Sequence, residues 1–140
     1  MKDPRAALAD RSRHDSTHIV SLQELSRDPT LDAADYTLIE GVVWRPDYGL
    51  PARREAMNLL WERDPGRAEI LLRRQLPRMT NWPWLVELCD WIAERDIVEL
   101  DPALISSWGR PRPMTPDETK RPEYLALVKM HGKDKVPELV

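Results

Sequence analysis

The 140-residue sequence predicts an all-α protein, a single domain of five or six helices arranged as antiparallel hairpins. Three observations carry that prediction. Apolar residues recur at steps of three and four through the middle of the chain, the spacing that lines one face of a helix. Thirteen prolines stand against five glycines, and four of them follow an aspartate, at Asp3, Asp28, Asp64 and Asp101. Aspartate caps a helix and proline is accepted in its first turn, so each Asp-Pro pair reads as a helix start. Finally, Pro51–Asp64 laid over Pro83–Asp96 matches Pro51 with Pro83, Glu55 with Glu87, and Glu62-Arg63-Asp64 with Glu94-Arg95-Asp96.

Taken in order, Asp3-Pro4 opens a short helix through Ala9. The polar stretch from Asp10 to Thr17 then reads as mobile, making residues 1–18 a flexible arm. His14 and His18 lie four apart, the spacing of two metal ligands on one helical face, but no third ligand type is near and no metal is expected. Ser21 and Glu24 have capping-box spacing before a segment ending at Arg27. Asp28-Pro29 starts the next helix, with Leu31, Ala34, Leu38 and Val42 inward. Residues 36–44 are rich in strand formers, yet the helical spacing carries through to Val43. Pro46, Asp47 and Gly49 make a turn.

The central helices follow. One starts at Pro51 with Ala52, Ala56, Leu59 and Leu60 inward, and one at Asp64-Pro65 with Ala68, Leu71, Leu72 and Leu76 inward. A third starts at Asn81-Trp82-Pro83 and buries Leu85, Leu88, Cys89 and Ile92. A fourth runs from Asp101-Pro102 to Trp108-Gly109, closing a core over residues 19–109. Residues 110–140 read as a proline-rich connector with prolines at 111, 113 and 116, a capping box at Thr115 and Glu118, a helix from Glu123 to His131 ended by Gly132, and a tail.

The Pro-led helices closed by Glu-Arg-Asp resemble the HEAT and armadillo class of helical repeats over residues 28 to about 100. That resemblance implies a concave surface for another macromolecule and no chemistry of its own. The copy that would begin at Pro122 departs from the pattern.

Composition narrows function mainly by exclusion. The single cysteine, Cys89, rules out an internal disulfide, and its place on an apolar helical face predicts a buried, unreactive thiol. No apolar run reaches the ~20 residues of a membrane span, and residues 1–16 show no apolar core of a secretory signal. A cytoplasmic location is therefore expected. Phosphate-cradling glycine loops, nucleophile elbows and His-Glu-x-x-His are missing, so no catalytic residue and no cofactor is expected.

Charge is unevenly placed. The net charge is −3, with residues 41–80 at +3 and residues 81–100 at −4. Arg67, Arg74 and Arg78 fall on one helical face opposite the leucines, at ~100° per residue. They read either as partners of Glu87, Asp90 and Glu94 on the next helix or as a docking stripe. Trp82, Trp84 and Trp91 form a second candidate surface, since Trp favours half-buried seams and interfaces. The expectation is a non-catalytic protein-interaction or assembly module, with another protein as partner. The alternative is association with a nucleic-acid backbone through the arginines.

Overall fold

Several helix starts in this chain are set by polar side chains that satisfy the first free amides, but not always where Asp-Pro occurs. The computed structural model describes residues 3–110 and 121–140. Asp3 accepts from the Arg5 amide and caps α1, Pro4–Ala9. His14 caps α2, Asp15–Ser26, with Nδ1 accepting the Ser16 amide at 3.2 Å. Asp32 and Asp35 form the reciprocal box that opens α3, Ala33–Trp44. Three helices follow: α4, Leu50–Arg63; α5, Pro65–Gln75; and α6, Trp82–Glu94. The chain then forms α7, Asp101–Trp108, α8, Pro122–His131, and α9, Val136–Leu139. Among the described residues there is no strand, so the strand formers of residues 36–44 lie in helix, as expected.

The four Asp-Pro pairs prove chemically distinct. Asp3 and Asp64 cap helices. Asp28 instead folds a turn, its Oδ1 accepting from both the amide and the hydroxyl of Thr30, and the following helix starts four residues later than the sequence suggested. Asp101 is itself inside the first turn of α7, with its carboxylate 2.8 Å from His131 Nε2. Ser21 is no cap either: it lies buried within α2 and its hydroxyl donates to the Thr17 carbonyl. The connector prolines and the Thr115–Glu118 box lie outside the described residues.

The chain divides into two compact units, Met1–Ala68 and Glu69–Val140, with the division inside α5. In the first unit α4 packs on α3 and α2, and α1 packs on α2 and α3. Leu8, Leu22, Leu25, Ile39, Val42, Met57 and Leu60 are buried. Where an arm was expected, α1 is fastened by Arg5, which binds Asp35 at 2.6 Å and Asp28 at 2.9 Å, and by the Tyr48 hydroxyl, which donates to the Leu8 carbonyl at 2.7 Å. The Thr30 amide and then Arg5, through their hydrogen bonds, hold the Asp28 carboxyl down at about 2.

In the second unit α8 packs on both α6 and α7. Leu72, Leu76, Trp84, Leu85, Leu88, Cys89, Trp91, Ile92, Leu104 and Leu127 are buried, Cys89 as predicted. A buried polar cluster ties the end of α7 to the start of α8. The Ser107 hydroxyl donates to Glu123 Oε2 at 2.6 Å, and Arg121 donates to the carbonyls of Trp108 and Arg110. With Glu123 fully buried, these bonds fix where α8 begins.

The matched ends of α4 and α6 diverge in geometry. Both helices carry proline at their second position. After α4, Asp64 is extended at φ −150° and its side chain caps α5 by accepting the Arg67 amide. After α6, Asp96 is left-handed at φ 53°, and the amides of Asp96 and Ile97 donate to the carbonyls of Ala93 and Ile92. Those paired bonds are the left-handed closure usually made by glycine. The same Glu-Arg-Asp triplet thus ends two helices in two ways.

Candidate interaction surface

The best-formed concave surface of the second unit lies between α6 and α8. Asn81 starts α6 by accepting the Trp84 amide at 3.2 Å. One face of α6 then enters the core through Leu85, Leu88, Cys89 and Ile92. Val86 stands one residue step, ~100°, round the helix from Leu85 and is 42% exposed. On α8 the buried stripe is Glu123, Ala126 and Leu127, which leaves Leu125 54% exposed. Gly132, at φ 91°, ends α8 in a conformation that side-chain-bearing residues rarely adopt.

Between the two helices runs a furrow of about 260 Å³, lined by Val86, Glu87, Asp90, Ala93, Pro122, Leu125, Ala126 and Lys129. Its floor and walls are aliphatic. Its α6 edge carries two carboxylates, and its α8 edge one ammonium, with Lys129 Nζ 3.5 Å from Asp90. Both members of that pair are more than half exposed, so it holds the helices together only weakly.

The arginines do not form the predicted stripe. Arg67 is taken up structurally: its guanidinium donates to Glu40 and lies 5.2 Å over the Tyr36 ring, joining α5 to α3. The Glu40 hydrogen bond raises its pKa further above an already high value. Arg74 is exposed in the last turn of α5. Arg78 belongs to a separate 3-10 turn, Leu76–Arg78, because Pro77 cannot continue the helix. Of the acids expected to meet these arginines, Asp90 lies 3.5 Å from Lys129 and the Glu94 carboxylate lies 3.8 Å from Arg95.

Nor do the tryptophans form a surface seam. Trp82 is exposed, but Trp84 and Trp91 are core residues, and the Arg95 guanidinium covers the Trp91 ring at 4.1 Å. The two histidines serve the fold. His14 caps α2, while His18 is buried, sits 4.7 Å from the Tyr48 ring and reaches the Asp10 carbonyl at 2.8 Å. Among the described residues no three ligand-type side chains cluster to hold a metal, and no helix is long and apolar enough to cross a membrane.

The charged and aromatic residues of the sequence do not mark the furrow. Its signal in the sequence is an apolar residue off the core stripe, Val86 beside Leu85. Its second wall comes from a helix that starts 28 residues after α6 ends, and no local pattern shows that pairing. Compared with family models, curated proteins and solved structures, the chain matches none.

Proposed function

We propose that this chain is a non-catalytic helical module that binds another protein through the furrow between α6 and α8. One observation carries the reading: two aliphatic side chains, Val86 and Leu125, stand exposed on opposite walls of a furrow that Ala93, Pro122 and Ala126 also line. Exposed apolar side chains are unremarkable when scattered, but a paired set rimmed by charge is the anatomy of a protein contact. At about 260 Å³ the furrow falls below the ~300–1,000 Å³ of small-molecule clefts. It suits side chains presented from outside by another chain.

Phosphate-backbone binding has weaker support. Its basic face keeps Arg74 and Arg78, but the Arg67 charge already meets Glu40.

Capture experiments with the tagged chain in lysate of its source test the reading. The bound partner should be lost on V86D/L125D and kept on R74Q/R78Q, with nuclease having no effect. Capture that survives the furrow changes, or that disappears with nuclease and with R74Q/R78Q, refutes it and supports nucleic-acid association.

A further inference from the structure

Independently of the furrow, which belongs to the second unit, we infer that α1 is a latch on the first. It opens while α2, α3 and α4 stay folded, and the seat it leaves takes a partner's short helix that carries arginine three residues before leucine. Unequal burial carries the first half. Leu8 is the one buried side chain of α1, whereas α2, α3 and α4 together bury Leu22, Leu25, Ile39, Val42, Met57 and Leu60. Six residues do not hold a helix by themselves, so α1 is helical only while seated. A segment with so little buried apolar surface opens at a smaller cost than the whole unit does.

The seat keeps its shape when α1 leaves, because each of its groups is also held from elsewhere. The Asp35 carboxylate accepts the Asp32 amide in the α3 box, and Asp28 accepts the Thr30 amide. The Tyr48 ring lies 4.7 Å from the buried His18 ring, and α4 packs on α2 and α3.

What the seat recognises is shown by what sits in it. The Arg5 guanidinium meets Asp28 at 2.9 Å and Asp35 at 2.6 Å. One turn on, Leu8 is enclosed, and the Tyr48 hydroxyl and His18 Nε2 reach the carbonyls of Leu8 and Asp10 at 2.7 and 2.8 Å. A cation, a leucine one turn later and the carbonyls of a helix end are therefore the pattern read.

The resident segment fills its place incompletely. Beside it runs a gap of about 340 Å³, lined by Pro4 and Ala7 of α1 and by Thr17, Val20 and Glu24 of α2, and Val20 stays exposed. A partner helix with a larger apolar residue in the place of Ala7 fills that gap. The α1 of a second copy brings the same alanine and lacks the resident's tether, so a different chain is the better competitor.

Hydrogen exchange on the whole chain reads the opening. Amides of residues 7–10 should show protection at least tenfold lower than those of α3 and α4. Arg5→Gln should lower it a further twofold to fivefold, roughly, and leave α4 unchanged. Docking is read by fluorescence anisotropy with a labelled peptide of residues 1–12. It should bind the Leu8→Ala chain, whose own α1 is loosened, at least tenfold more tightly than wild type, where α1 competes for the seat. An Ala7→Leu version of the peptide should bind about threefold more tightly still, and an Arg5→Gln/Leu8→Ala version should not bind.

If residues 7–10 exchange only with global unfolding, or if the Leu8→Ala chain loses its helical circular dichroism, α1 is part of the core and the latch is overturned. Equal binding of the native and doubly substituted peptides overturns the docking seat, as does no binding at about 1 mM, the order of a short tether's effective concentration. An Ala7→Leu peptide that binds no better than the native one overturns the choice of occupant. So does a wild-type dimer in sedimentation that Leu8→Ala dissociates, which would mark α1 as traded between copies.

Discussion

Substitution at Asp96 and Asp64 measures the two helix ends directly. At Asp96, φ is 53° and the side chain is exposed, so replacement changes backbone strain and little packing. A left-handed residue with a Cβ costs about 1–2 kcal/mol, with aspartate towards the low end. Glycine removes that strain but adds roughly 0.5–1 kcal/mol of unfolded-state freedom. Asp96→Gly should therefore stabilise by up to about 0.5 kcal/mol, and Asp96→Ala should destabilise by roughly 0.5 kcal/mol. At Asp64, φ is −150° and the carboxylate caps α5. There Asp64→Ala should cost about 1 kcal/mol and Asp64→Gly a few tenths. Urea unfolding followed by helical circular dichroism gives all four values. Thermal melts add a check, because about 4–8 °C per kcal/mol is expected for a unit of this size. If glycine destabilises at 96, or both positions respond with the same signs, the helix ends are alike and the assignment of two different closures is wrong.

Two further outcomes concern acid and thiol chemistry. Asp28 and Asp35 both have depressed pKa values in the folded chain, Asp28 at about 2 against an ordinary 3.8 and Asp35 chiefly through its hydrogen bond with Arg5. Their stabilisation is complete above about pH 5 and is lost progressively as pH falls through the unfolded and then the folded values. Asp28→Asn should thus lower stability at pH 7 and flatten the acid limb of a pH–stability curve; an unchanged limb would refute the Arg5 linkage. Cys89 is buried beside Leu85, Leu88 and Ile92, so an aromatic disulfide reagent should label it slowly in the native state and at once in denaturant. Rapid native labelling would contradict this placement.

Local spacing made the helices legible and left their assembly obscure. Periodicity placed α4, α5, α6 and α8 to within a residue or two, because each owes its inward face to its own sequence. It also carried α3 across Tyr36 to Trp44 against strand preference, since burial of Ile39, Val42 and Val43 on one side outweighs propensity. Capping was harder to read, as Asp28 and Ser21 have the right chemistry for caps and use it on Thr30 and Thr17 instead. The interaction surface was least visible. The partner of Arg67 is 27 residues upstream and Lys129 is 39 residues beyond Asp90, so only the fold could reveal either pairing.

The tethering of α1 sets an order of events during synthesis. Its anchors all come later in the chain: Asp28, Asp35 and, 40 residues after Leu8, the Tyr48 hydroxyl. At ribosomal rates of ~5–20 residues per second, α1 emerges about 2–8 s before its last anchor does. A six-residue helix cannot persist alone over that interval, so it is a late addition to a core that α2, α3 and α4 must first assemble. A segment made before its anchors is thus among the last of its unit to be fixed.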